Sequence, residues 1–160
     1  MFGLRIGAGY DVHAFVQGRA LVLGGVEIEH ERGLKGHSDA DVLTHALMDA
    51  ILGAMRAEDI GSHFPDPDLA YLNASSVVLL EHVAGLMRQA GFELVDADIV
   101  VALERPKLAP HRDAIRAGLA DRLGVAIDNV GLKATTTEGL GFVGRGEGVA
   151  AWAVVLLSRD

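Results

Sequence analysis

The stretch Val149 to Ser158 constrains the architecture more than any other part of the chain. Its alternate residues Trp152, Val154 and Leu156 are apolar, and so are the intervening Ala153, Val155 and Leu157. Successive side chains of a strand point to opposite faces, so a strand of this composition must be covered on both sides. The run Gly148 to Leu157 falls well short of the roughly 18 apolar residues of a membrane-spanning helix. Half of the 160 residues are hydrophobic. That excess, with no membrane segment to absorb it, points to burial between subunits and hence to an oligomer.

Upstream, Leu4 to Phe15 reads as a strand, and Ala20 to Glu29 as a second, broken at Gly24-Gly25 into a hairpin with a bulge. A glycine-containing loop, Arg32 to His37, leads into a helix over about Asp39 to Met55. Its expected N-cap is Ser38, with Asp41 three residues on as a capping box. Val42, Leu43, Ala46, Leu47, Ala50, Ile51 and Ala54 form its apolar stripe at helical spacing. Gly61 to Asn73, which holds Pro65-Asp-Pro-Asp68, is expected to be irregular. A helix over Ser75 to Ala90 stops at Gly91, and a strand follows over Phe92 to Leu103. Pro106 to Pro110 reads as a turn, and a helix over His111 to Leu123 stops at Gly124. A strand at Asn129 to Ala134 and a Thr/Gly-rich loop at Thr135 to Gly146 precede the last strand. The order β-β-α-α-β-α-β-β predicts a single α+β domain, with helices packed on one face of a mixed sheet.

A formal net charge of −8 argues against nucleic acid as a partner, and no membrane association is expected. It leaves room for a small phosphorylated substrate whose charge is neutralised locally by metals and a few placed cations. Two of the three lysines, Lys107 and Lys133, lie beside the motifs below. There is no cysteine, so no disulfide or thiolate metal site can form. Met1 to Gly7 contains Arg5 but no apolar run and no small-residue cleavage site, so no secretory signal is expected and the cytoplasm is the expected compartment.

Asp11 and His13, two apart on a strand, point into the same space. His45 lies seven residues after Ser38, two helical turns along. One carboxylate and two imidazoles suit a divalent metal such as zinc, and three protein ligands leave the open position of a catalytic site. The plainer alternative is a solvated, salt-bridged face running through Asp41, His45 and Asp49. If His45 is a ligand, Asp41 or Asp49 would hold its second ring nitrogen. Farther on, Thr135-Thr-Thr-Glu138 precedes a glycine-rich loop. It presents hydroxyls and N–H groups suited to phosphate oxygens, and Glu138 offers a carboxylate for magnesium. The plainer alternative there is an ordinary turn. His30, His63, His82 and His111 read as surface or capping residues.

Taken in order, Gly9-Tyr-Asp-Val-His13, Gly36-His-Ser-Asp39, His45, Asp59-Ile-Gly61, Phe64-Pro-Asp66, Pro106-Lys107, Thr135-Thr-Thr-Glu138 and Gly144-Arg-Gly-Glu-Gly148 resemble the 2-C-methyl-D-erythritol 2,4-cyclodiphosphate synthase family. The resemblance spans nearly the whole chain. It implies a homotrimer with active sites between subunits, and closure of a cyclic diphosphate from a cytidine diphosphate substrate with release of CMP. It further implies zinc on Asp11, His13 and His45, and Glu138 on a magnesium or manganese ion bound with the diphosphate. His37, Ser38 and Thr136 would line the transferring phosphate, with His37 and Thr136 stabilising the transition state, and Thr137 would be a further substrate-binding residue. Asp59, Ile60, Gly61, Phe64, Pro65, Asp66 and Asp68 would hold the erythritol portion, and Leu103, Pro106, Lys107, Leu108, Ala109 and Thr135 the cytidine. Phe142 and Arg145 would face a cavity on the threefold axis that can hold an isoprenoid-like diphosphate. One departure stands out: Leu103-Glu-Arg105 is bulkier than the small residues associated with the segment before Pro106-Lys107.

Two other readings fit the same residues. A zinc-dependent phosphohydrolase would use water as nucleophile and release inorganic phosphate. A non-catalytic protein would capture a phosphorylated metabolite without turnover.

Overall fold

Strand β1 (Gly3–Val16) runs antiparallel to β7 (Gly148–Arg159), in register from Gly3 opposite Arg159 to Ala14 opposite Gly148. The computed structural model describes residues 3–65 and 73–160. Around the β1–β7 pair the sheet order is β4-β1-β7-β5-β6, with β4 (Gly33–Leu34), β5 (Glu93–Ala102) and β6 (Val130–Thr135). β5 and β6 are parallel and the other pairs antiparallel, which gives the expected mixed sheet. Helix α4 (Arg112–Leu123) supplies the crossover that parallel neighbours need. Helix α1 (Val42–Met55) packs on β1 and β7, α4 against β6, and α3 (Ser76–Gln89) against α1 and α4.

The helices cover one face only. Ala151, Ala153, Val155 and Leu157 are buried beneath them. On the other face Trp152 is 43 % and Val154 49 % exposed, so a single chain leaves uncovered the second face that the sequence led us to expect buried. Tyr10 pairs with Trp152 there, ring centroids 5.1 Å apart, beside exposed Leu4, Ile6 and Val12.

On the covered face β1 carries Gly7 and Gly9, and α1 lies directly on their backbone. A Cβ on Gly7 would sit 1.8 Å from the Ala50 carbonyl oxygen, and one on Gly9 2.0 Å from that of Ala46. Successive contacts thus climb toward the N-terminus of α1 as β1 proceeds. Asp11 and His13, next on the same face, arrive beside His45.

The start of α1 differs from the expected one. Its N-cap is Asp41, and the helix begins at Val42 rather than Asp39. The carboxylate of Asp41 is fully buried and accepts from Thr44 N (3.0 Å), Thr44 Oγ1 (2.7 Å), Gly24 N (2.9 Å) and Gly25 N (2.7 Å). Gly24 and Gly25, at φ 59° and 76°, form the tight two-residue turn between β2 (Leu21–Leu23) and β3 (Val26–Ile28). These strands form their own two-stranded sheet with an unbroken register, in place of the bulge expected. One side chain therefore caps α1 and pins the hairpin, a role that an i, i+3 pattern cannot reveal.

Gly91 and Gly124 stop α3 and α4 as expected, at φ 76° and 73°. Two expected loops contain a helical turn each: α2 (Ile60–His63), capped by Asp59, and α5 (Gly141–Gly144). At the β6 edge, Arg112 Nε donates to Leu132 O (2.8 Å) and Arg116 Nε to Val130 O (2.7 Å). No helix among the described residues is long and apolar enough to cross a membrane.

Asp41→Ala removes the cap and leaves buried donors without partners. It is expected to cost about 2–4 kcal/mol, read from the urea midpoint. A loss under about 1 kcal/mol would show that water replaces the carboxylate.

Candidate active site

Asp11 Oδ2, His13 Nε2 and His45 Nδ1 converge, with separations of 2.9, 3.1 and 3.1 Å. Ligands about 2.0–2.1 Å from a tetrahedral ion stand roughly 3.3 Å apart, so a shift of a few tenths of an ångström admits a divalent metal. The ring orientations fit as well. His13 Nδ1–H donates to Lys35 O at 2.7 Å, which leaves the lone pair of Nε2 facing the centre. Burial opposes ionisation of Asp11, but the hydrogen bonds and charges of His13 and His45 prevail and hold its carboxyl well below the usual carboxylate range. Burial likewise disfavours a charged His13, yet the Asp11 carboxylate raises its affinity for a proton above the ordinary value. A cation binding here competes with a proton for the same nitrogen.

The second nitrogen of His45 is held by neither Asp41 nor Asp49. Asp41 is committed to the cap, and Asp49 accepts from Ile60 N at 2.9 Å, tying α1 to α2. Instead His45 Nε2–H donates to the buried Ser76 Oγ at 2.9 Å, and Ser38 Oγ lies 3.2 Å away. Ser76 Oγ–H in turn donates to Asp39 Oδ1, while Asp39 Oδ2 accepts from Ser76 N at 3.0 Å. The nitrogen expected to meet a carboxylate thus meets a serine, and the carboxylate behind that serine is Asp39. Ser76 reads in sequence as an ordinary helix-start residue, and nothing in local spacing pairs it with His45.

The loop from Lys35 to Ser38 is tied at each carbonyl. Lys35 O accepts from His13, Gly36 O and Ser38 O from the Arg19 guanidinium, and His37 O from Asn73 N (2.9 Å). Arg19 had no sequence signal. This loop borders a cleft of about 480 Å³ that also exposes Asp11, His13, His37, Ser38, His45, Ile60, Gly61, Phe64 and Pro65. Asp59 stands at the α2 N-cap, where the Ser62 amide and hydroxyl bind its carboxylate and lower its pKa. Asp66 and Asp68 lie outside the described residues. His63 and His82, read as surface residues, both stack near Phe64 at 6.3 and 5.7 Å.

A second pocket of about 210 Å³ gathers Leu103, Glu104, Pro106, Lys107, Leu108, Ala109, Ala134, Thr135 and Thr136. Thr136 Oγ1 donates to Glu138 Oε1 at 2.9 Å. Across the sheet, Val12, Ala150, Ala102 and Thr135 fall in one row of register partners, so both pockets open at the same end of the strands. Three strand spacings, about 14 Å, separate them. Phe142 packs against the small buried cluster of Ala102, Val143 and Ala150, and the exposed Arg145 pairs with Glu147 through Nε–Oε1 (2.8 Å) and Nη2–Oε2 (3.1 Å). That pairing raises the Arg145 pKa and lowers the Glu147 pKa.

Ser76→Ala is expected to weaken divalent-metal affinity about 10–100-fold while the fold persists, and His45→Ala to abolish stoichiometric binding. Metal titration followed by calorimetry reads both; unchanged affinity in Ser76→Ala removes the supporting role.

A family model described as the YgbB family matches residues 4–158. The chain is 57% identical over 156 residues to the 2-C-methyl-D-erythritol 2,4-cyclodiphosphate synthase of Geobacter metallireducens, covering 98% of this chain and 99% of that protein. It is 54% identical to the synthase of Bacillus cereus strain B4264, covering 97% and 98%. Among solved structures, the Plasmodium falciparum IspF–CDP complex superposes with a TM-score of 0.87 at 30% identity, covering 99% of this chain and 97% of that one. The bifunctional IspDF of Campylobacter jejuni gives 0.96 at 44% identity, with all of this chain matching 43% of that longer one. The chain belongs to the YgbB family, and the relatives that place it there are 2-C-methyl-D-erythritol 2,4-cyclodiphosphate synthases.

Proposed function

We propose that the protein converts 4-diphosphocytidyl-2-C-methyl-D-erythritol 2-phosphate to 2-C-methyl-D-erythritol 2,4-cyclodiphosphate and CMP, in the non-mevalonate isoprenoid pathway and in the cytoplasm. The observation that carries this reading is the Asp11, His13 and His45 cluster, set in a cleft of a chain 57% identical to such a synthase.

An oxygen of the 2-phosphate bonds to the β-phosphorus; the bond from that phosphorus to the bridging oxygen breaks, and CMP departs with the electron pair. The nucleophile is already ionised at neutral pH, so no strong base is required. The difficulty is bringing two anionic groups of one molecule together, which calls for positioning and charge neutralisation. Zinc on Asp11, His13 and His45, with magnesium or manganese on Glu138, would offset phosphate charge. His37 and Ser38 line the transferring phosphate from the metal side, and Thr136 from the other. His37 and Thr136 donate to charge that grows in the transition state. Asp59, Ile60, Gly61, Phe64, Pro65, Asp66 and Asp68 hold the erythritol portion. Leu103, Pro106, Lys107, Leu108, Ala109 and Thr135 hold the cytidine.

A homotrimer brings these parts together, the metal cleft of one subunit meeting the nucleotide pocket of the next. The exposed Leu4, Ile6, Tyr10, Val12, Trp152 and Val154 support burial of the open sheet face. The separation of the two pockets within one chain supports a shared site. Phe142 and Arg145 then face the threefold axis, where an isoprenoid-like diphosphate can bind.

Incubation of the purified protein with the substrate, zinc and magnesium is expected to give cyclic diphosphate and CMP by phosphorus NMR, and a chelator to stop it. Inorganic phosphate as product, or tight binding without turnover, overturns the reading. Thr136→Ala is expected to lower kcat on the order of 100-fold with a smaller change in KM. A rise in KM alone would make Thr136 a binding residue.

A further inference from the structure

Glu104 belongs to the segment whose bulk departs from the family resemblance; it borders the second pocket, but its Oε1 is turned to Thr137 and the proposed mechanism gives it no contact with the nucleotide. Its Oε1 accepts from the Thr137 backbone N–H at 2.8 Å and lies 3.2 Å from the Thr137 hydroxyl, which donates to Leu140 O at 2.7 Å. Leu140 N returns to Thr137 O at 3.0 Å and closes a turn around Glu138 and Gly139. Both central residues have positive φ, 53° and 77°. For glycine that conformation is free, but a left-handed glutamate persists only where its surroundings over-determine it. Glu104 constrains the turn from one side. From the other, α5 is so close that a Cβ on Gly144 would lie 2.1 Å from the Gly139 carbonyl carbon.

Strand geometry adds a second restraint at the root of the turn, where Leu103 N donates to Thr135 O at 3.0 Å. The base-pocket segment and the threonine segment are therefore joined twice, once by backbone and once by a carboxylate. The second joint lies on the far side of Thr136, whose hydroxyl meets Glu138. Without it, the residues between Thr135 and the α5 contact at Gly139, Thr136 and Glu138 among them, would lose their side-chain tie to the base-pocket segment.

We propose that Glu104 is a positioning residue for the phosphoryl transfer: by holding the Thr137 amide it fixes Thr136 and Glu138 relative to the segment that receives the nucleotide. This rests on the functional reading above. A carboxylate accepting from a backbone N–H is a charge-assisted bond, about twice as strong as a neutral one, and suits this duty.

The test measures hydrogen exchange at the Thr137 amide in metal-free protein, and steady-state kinetics, for wild type, E104A and E104Q. E104A is expected to exchange Thr137 about tenfold faster and to lose about tenfold in kcat with KM within about threefold. E104Q, whose amide oxygen accepts the same bond, is expected to recover most of both. If E104A does not fold, E104D, with its carboxylate one methylene short of Thr137, takes its place. Unchanged exchange and kcat in E104A, or E104Q as impaired as E104A, overturns the assignment. An inactive wild type counts against the reaction assigned, and with it the catalytic purpose of the brace, while the exchange data separately decide whether the brace exists.

Discussion

Helix α1 rests on the bare backbone of β1 at Gly7 and Gly9, and most of the functional geometry follows from that contact. Any side chain at either position would collide with a helix carbonyl. The two elements therefore approach as closely as backbones can, and their relative height is fixed within a narrow range. His45 immediately precedes Ala46 to Ala50, the stretch that these glycines touch, while Asp11 and His13 follow them on the strand. The three converging side chains thus inherit their spacing from a seam with no side chains of its own. Displacing that seam by an ångström would open the cluster.

Around the cluster, polar groups are buried only where their partners are also provided. His45, Ser76 and Asp39 form a chain of donors and acceptors, and Asp41 serves four donors from two elements. Such networks cost stability when half made and give a single geometry when complete. They also explain how a chain of net charge −8 can handle a polyphosphate. Its negative groups near the site are committed to imidazoles, hydroxyls and amides, or stand ready for cations.

Much of this was legible from residue order. The strands β1 and β7, the stops at Gly91 and Gly124, and the shared face of Asp11 and His13 follow from alternation, helix-ending glycines and strand geometry; that β1 and β7 pair does not. His45 acquires its meaning only once α1 is laid on β1, because local spacing fits a solvated face equally well. Asp41 was read as an ordinary capping-box member, since its partners Gly24 and Gly25 lie sixteen or seventeen positions away. Ser76 and Arg19 escape for the same reason, since each acts on a residue distant in sequence; Glu104 stands out by the bulk of its segment, but its distant partner Thr137 does not. Short-range periodicity identifies elements and their faces; it is silent about which polar atoms those faces bring together.

The arginines along β6 bear on how copies of this molecule can meet. The outward carbonyls of Val130 and Leu132 are already engaged by Arg116 and Arg112, so that margin offers little to a strand arriving from outside. At the opposite margin β4 is only two residues long. Growth by adding strands end upon end, which leads to fibres, is obstructed on both flanks. The exposed sheet face is left as the broad surface, and contacts made through such a face can close by rotation about an axis into a finite ring.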